Sequence, residues 1–311
     1  MHLVIAFASA LSDEVSQVLP TLELPHLARV LERCTPTARD EESPLTLSPP
    51  HERALAQAWG WHGADGLWPF AAHAARADGI DVDARPWGLV TPSHWLVGRD
   101  HVTLVDPEAL ALDADESRAL FDALRDLFEG DGYACAWGAP LRWYVSHAAL
   151  DGLACASLDR VVGRHVGPWL EQRARGDART ARVRRLQSEV QLALHAHPVN
   201  DAREERGALV VNSFWLSGCG MPQAATEDVT LDARLRAPAL RGDIGAWSAA
   251  WQALDADAIA TWLAAADAGA EAALTLCGER AALRLEPRPR SWWQRWRAPR
   301  PRPPHTWLGE L

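Results

Sequence analysis

The tightest constraint in this 311-residue sequence is a proline that ends a helix. From Asp177 to His195, Val183, Leu186, Val190 and Leu194 recur on one side, opposite Arg179, Arg182, Arg185 and Glu189. Such a one-sided stripe predicts an amphipathic helix. Pro198 cannot continue it, because proline has no N–H to donate and its ring clashes with the preceding turn. The stretch His197–Gly220, HPVNDAREERGALVVNSFWLSGCG, therefore predicts a turn carrying Asn200, Asp201 and Arg203, then a reversal at Gly207. A strand over Ala208–Leu216 and a loop of Ser217, Gly218, Cys219 and Gly220 at its carboxyl end complete the segment. In open α/β sheets that end is where ligands bind.

The flanking sequence supplies the rest of a mixed α/β chain. Residues 2–9 predict a buried first strand and not an export signal, since no Lys or Arg precedes the apolar run. Helices are expected over Leu22–Arg33, Glu52–Trp59 and Pro69–Ala77, with a loop over Cys34–Pro50. Residues 84–160 then change character. Strands at Trp87–Val97 and His101–Val105 flank Gly98-Arg99-Asp100, a helix starts at a capping box of Asp113 and Glu116, and two strands follow at Tyr133–Trp137 and Leu141–Val145. Further on come a strand at Val229–Leu235, helices at Ile244–Leu254 and Asp257–Ala268, and strands at Ala272–Leu276 and Ala281–Leu285. The pattern predicts an α/β core built from 1–80 and 195–287, interrupted by an α+β domain at 84–160. Residues 161–194 then form a linker and the long helix.

Composition removes several classes of function. No apolar run reaches 18 residues, so no transmembrane helix is expected. Five scattered cysteines without a CxxC pair argue for reduced thiols in a cytoplasm, against a disulfide framework or zinc site. A net charge of −10 makes nucleic acid a poor partner. His147, His165, His195 and His197, with Asp151 and Asp159, fit no metal-ligand spacing. Many of the sixteen tryptophans, among them Trp68, Trp169, Trp251 and Trp262, stand alone in apolar contexts and are expected in the core. The exception is the tail, 288–311. It holds six arginines and three tryptophans between Arg288 and Arg302, suited either to folding back on the body or to contacting a protein or anionic surface.

Within the His197–Gly220 segment, Arg203 has the forked donors that grip phosphate or carboxylate in pairs. The same arginine and Asn200 are equally suited to bracing the turn from inside. The motif as a whole resembles the HPVN-x-x-R-x-x-x-G segment of archaeal-type cofactor-independent phosphoglycerate mutases, a family within the alkaline phosphatase superfamily. The whole chain is similar to a bacterial group of RpfE-type regulatory proteins often described as phosphoglycerate mutases. The resemblance implies an alkaline-phosphatase-like three-layer core with an inserted smaller α+β domain. It also implies a ligand cleft using Arg142, His197, Asn200, Arg203, Asn212, Gly218 and Gly220.

The same family transfers phosphoryl groups through a serine beside two divalent metals, and here the sequence departs from it. No aspartate follows the first strand before Asp13, Ser48 is the nearest analogue of the nucleophile but lacks its glycine, and no histidine lies between His197 and His305. The leading expectation is thus a degenerate, cytoplasmic phosphoglycerate-mutase-like protein that binds a small phosphorylated or carboxylated metabolite in a regulatory role, with no cofactor. Two alternatives stand beside it. One is an active mutase or phosphatase variant using Ser48 with Mn or Mg; the other is an interaction module acting through the tail.

Overall fold

A computed structural model describes residues 1–172, 177–287 and 302–311. The arginine- and tryptophan-rich stretch 288–301 and four residues of the expected linker, 173–176, lie outside the described residues. Along the described chain run β1 (His2–Ile5), β2 (Cys34–Glu41), β3 (Trp87–Ser93), β4 (Trp95–Val97), β5 (Val102–Leu104) and β6 (Ala134–Ala139). They are followed by β7 (Arg142–Ser146), β8 (Ser213–Gly220), β9 (Val229–Asp232), β10 (Ala273–Cys277) and β11 (Ala281–Pro287). Two compact units result: Met1–Pro44 with Pro49–Gly60 and Ala225–Leu311, and Leu45–Ser48 with Trp61–Ala224.

The first unit holds a five-stranded mixed sheet in the order β2-β11-β10-β1-β9. β1 lies parallel to both neighbours, β9 and β10, while β11 runs antiparallel to β10 on one side and β2 on the other. Alternation along the strands sends Leu3, Ile5, Leu274, Leu276, Leu283 and Leu285 to one face, against Trp247, Trp251, Trp262 and the helix Pro25–Arg33. Burial of an indole demands a partner for its N–H. Trp247 and Trp251, one helical turn apart, donate to the carbonyls of Phe7 (3.0 Å) and Ala8 (3.2 Å), and Trp262 donates to that of Ala273 (2.9 Å). The helix Pro25–Arg33 has no cap of its own side chains. Its first N–H groups go instead to buried Asp255, which accepts from His26 N (3.0 Å) and Leu27 N (2.7 Å).

β2 corrects the loop expected over Cys34–Pro50. Its prolines, threonines and acids read as a loop, but the strand is an exposed edge, where polar residues and proline are tolerated. The register with β11 slips at Thr37, beside Pro36. The last ten residues are anchored on this sheet. The helix Pro304–Leu308 buries Leu308, and Leu311 accepts through its carbonyl from Arg280 N (3.1 Å) and Ala281 N (2.8 Å). A Cβ on Gly278 would lie 2.6 Å from Leu311, so only glycine admits this approach.

The second unit is an antiparallel sheet, β6-β7-β3-β8, with a two-stranded ribbon of β4 and β5. The helices Ala114–Gly130 and Ala178–His195 cover one face through Leu120, Leu124, Phe128, Val183, Leu186 and Val190. The helix Phe70–Ala77 covers the other through Ala71, Ala72 and Ala75. The motif strand belongs here, paired with β3 from Trp87↔Gly220 to Ser93↔Ser213. The structure thus groups residues 195–224 with the antiparallel sheet, where the sequence pattern placed them in the α/β core. Among the described residues, no helix is long and apolar enough to cross a membrane, and all five cysteines are free thiols.

Candidate functional site

The motif begins with a second helix, not the turn expected at Asn200–Arg203. Pro198 stops the long helix but suits the first position of a new one, Pro198–Glu205, where its missing N–H costs nothing. His197 caps that helix, its Nδ1 accepting from Val199 N at 3.2 Å. Gly207 makes the expected reversal with φ of 71°. Residues 208–212 then run without regular pairing, and the strand starts at Ser213, five residues later than the apolar pattern suggests.

Side chains supply the bonds this irregular stretch lacks. Buried Asn200 accepts from Val211 N (2.9 Å) and donates to Val211 O (2.7 Å) and Leu194 O (2.9 Å). Asn212 treats Trp95 in the same way, accepting from its N–H (2.7 Å) and donating to its carbonyl (3.0 Å). Each amide thereby stands in for one residue of a neighbouring strand.

Arg203 is fully buried. Its Nε donates to Leu209 O at 2.7 Å, and its two terminal nitrogens donate to the Glu116 carboxylate and Leu110 O. Arg206 shares Glu116. The guanidinium expected to grip a ligand therefore braces the fold, because a buried cation without such partners would be prohibitive. Glu116 was read as half of a capping box with Asp113. Asp113 does cap the Ala114–Gly130 helix, but the Glu116 carboxylate turns to the arginines.

The other expected site residues do not converge with these. Arg142 makes a two-pronged ion pair with Asp78, both bonds 2.8 Å, and Asp78 also accepts from the Tyr144 hydroxyl at 2.6 Å. The Arg142 hydrogen bonds hold the Asp78 carboxyl below the usual carboxylate range. Gly218 and Gly220 lie inside β8 and not in a ligand loop. Gly218 adopts φ of 62° where a Cβ would sit 2.7 Å from Ala71 N, so it permits close packing of the Phe70–Ala77 helix. Ser48 is buried, its hydroxyl accepting from Gly66 N (3.1 Å) and its carbonyl from Arg160 (3.3 Å).

What the motif does border is a cavity of about 440 Å³, within the range of small-molecule sites. Its apolar wall is Trp95, Val97, Val102, Leu194 and Val210; Gln191, Asn200 and Asn212 add amides, and His195 and Glu204 add the ionisable groups. Among the described residues, no arginine lines it. The Trp95 Nε1 is buried without a hydrogen-bond partner among the described residues. Trp95 and Gln191 carried no sequence signal beyond apolar or helical spacing, since their role comes from the fold around them. Among the described residues, no three His, Cys, Asp or Glu side chains gather as a metal would require. The strand end after β1 is apolar, with Ala6 and Ala8 buried.

No family model matches this chain, and no curated protein matches it. Among solved structures, a cofactor-independent phosphoglycerate mutase from Thermoplasma acidophilum DSM 1728 is similar over 93% of this chain and 90% of its own, with 13% identity and a TM-score of 0.35. The PH0037 protein from Pyrococcus horikoshii is similar over 92% of this chain and 87% of its own, with 12% identity and a TM-score of 0.47. Both are distant likenesses in fold.

Proposed function

We propose that this chain is a phosphoglycerate-mutase-like protein that works by binding, in a regulatory role, and not by phosphoryl transfer. The observation that carries the reading is the state of Arg203. Its guanidinium is enclosed by Glu116, Leu110 and Leu209, leaving it no means of holding a phosphorylated substrate. Two further observations support it. Tryptophan indoles occupy the carbonyls of the segment after β1, where the resemblance asks for a metal aspartate. Ser48 is buried with its hydroxyl accepting a backbone N–H. Among the described residues, no cluster of side chains fits a two-metal centre.

The cavity beside the motif is the working part of this reading. Its apolar wall and spare Trp95 N–H favour a small, largely apolar ligand with an acceptor oxygen. A phosphate dianion finds no arginine there among the described residues, which narrows the metabolite expected from sequence. Free thiols throughout are consistent with a reducing cytoplasm.

Purified protein with Mn²⁺ should interconvert 2- and 3-phosphoglycerate only at the background rate, and Ser48→Ala should change nothing. Turnover well above background that chelation removes, or that Ser48→Ala abolishes, would overturn the reading. Ligand-observed NMR with small apolar amides and esters should give hits that disappear in Val210→Trp, which fills the cavity.

A further inference from the structure

The sheet of the first unit has a second face, opposite the tryptophans, where His2, Thr275 and Arg284 stand among Val4, Ala273 and Cys277. His2 on β1 and Thr275 on β10 are 5% and 3% exposed, and His2 Nε2 lies 2.9 Å from Thr275 Oγ1. The other ring nitrogen, Nδ1, has no hydrogen-bond partner and faces the Glu227 carboxylate at 3.7 Å. Burial, and next to it the charge of Arg284, hold the His2 pKa below its ordinary value, so the ring is neutral at neutral pH. Of the two neutral tautomers, the one that donates from Nε2 to the threonine keeps a lone pair on Nδ1.

His2 borders a cavity of about 810 Å³ at the amino-terminal ends of β1, β9 and β10. Glu227, Asp228, Glu271 and Glu286 line it together with Arg284. Arg284 is neutralised by Glu286, at 2.8 Å. Glu227, Asp228 and Glu271 have no arginine partner among the described residues. Among the described residues, and with the Met1 amino group counted beside Arg284, the wall is net negative, with the His2 Nδ1 behind Glu227.

Three classes of ligand can be weighed against this wall. An anion would meet unpaired carboxylates. A metal ion lacks its donor set, since among the described residues no three ligating side chains converge. An ammonium group meets what it needs, a carboxylate for its charge and acceptors for several N–H bonds. We propose that this cavity binds a small organic amine, one ammonium held between the Glu227 carboxylate and His2 Nδ1 and a second, in a diamine, by Asp228 or Glu271. This site is separate from the motif cavity and stands whether or not the reading of that cavity holds.

Titration calorimetry of the full chain at low ionic strength, with putrescine and spermidine as probes, tests it. Saturable binding is expected, weaker at high salt. Glu227→Gln with Asp228→Asn, both at exposed positions and so compatible with folding, should weaken it about tenfold or more, the loss of one or two charge-assisted hydrogen bonds. In ¹⁵N spectra of the histidine ring nitrogens, the Nδ1 resonance of His2 should move during the titration. Absence of saturable binding overturns the proposal, and so does binding that ignores the double substitution or leaves the His2 ring unmoved.

Discussion

The two units meet the same difficulty, buried backbone that no strand or helix satisfies, with opposite chemistries. In the first, the loop after β1 is held by indole donors, Trp247 on Phe7 O and Trp251 on Ala8 O. In the second, the stretch between Gly207 and β8 is held by amides and a guanidinium, from Asn200, Asn212 and Arg203. Residues that look bland in sequence make polar bonds in one place, and residues that look catalytic serve as scaffold in the other. Side-chain chemistry thus marks where backbone needs partners as often as it marks a reaction.

The comparison is tested hardest at Arg203. Arg203→Met should destabilise the second unit by about 3 kcal/mol, the low end for breaking a buried ion pair, because Glu116 keeps Arg206. Arg203→Lys should recover less than half of that loss, since an ammonium cannot reach three acceptors in the directions of the fork. Urea denaturation gives the energies. If Arg203→Met is neutral, the guanidinium is no brace and the ligand-gripping role returns. Asn200→Leu comes next, at about 2 kcal/mol, for leaving the Val211 N–H and carbonyl without partners. Amide exchange at Val211 should accelerate in that variant while β10 amides stay protected.

Trp251→Phe probes the first unit and should cost less, about 1.5 kcal/mol, from a smaller ring and one lost bond. The orphan it leaves is a carbonyl, which is more tolerant of a missing partner than an N–H. A loss exceeding that of Asn200→Leu would reverse the ranking and make the tryptophan ties the stronger device.

How much of this could be read beforehand follows from distance along the chain. The Ala178–His195 and Ile244–Leu254 helices were legible because their apolar spacing is local. So was the Asp113 cap, three residues from the N–H it accepts. The role of Arg203 was not, since its partners Glu116 and Leu110 lie 87 and 93 residues away. Its chemistry narrowed the choice to brace or ligand grip, and only packing decides between them. β2 was hidden for another reason. An exposed edge strand needs no apolar alternation, so Thr35-Pro36-Thr37 carries the signature of a loop.

The smallest expected effect distinguishes the units by pH. His2 in the first unit, and His73 and His147 in the second, all have their pKa values lowered, in each case chiefly by burial. In the unfolded chain such side chains titrate near 6.5, so as pH falls through that value the unfolded state takes up protons first. Stability is therefore full above about pH 6.5 and declines gradually below it, the reverse of what a histidine gaining a carboxylate partner would give. Urea midpoints measured from neutral to mildly acidic pH should show this fall. His73→Gln with His147→Gln should flatten the part that belongs to the second unit, and His2→Gln the remainder. A midpoint that rises on acidification, or a slope untouched by the paired substitution, would show that these rings are protonated in the folded protein, and the neutral Nδ1 acceptor assigned to His2 would lose its basis with them.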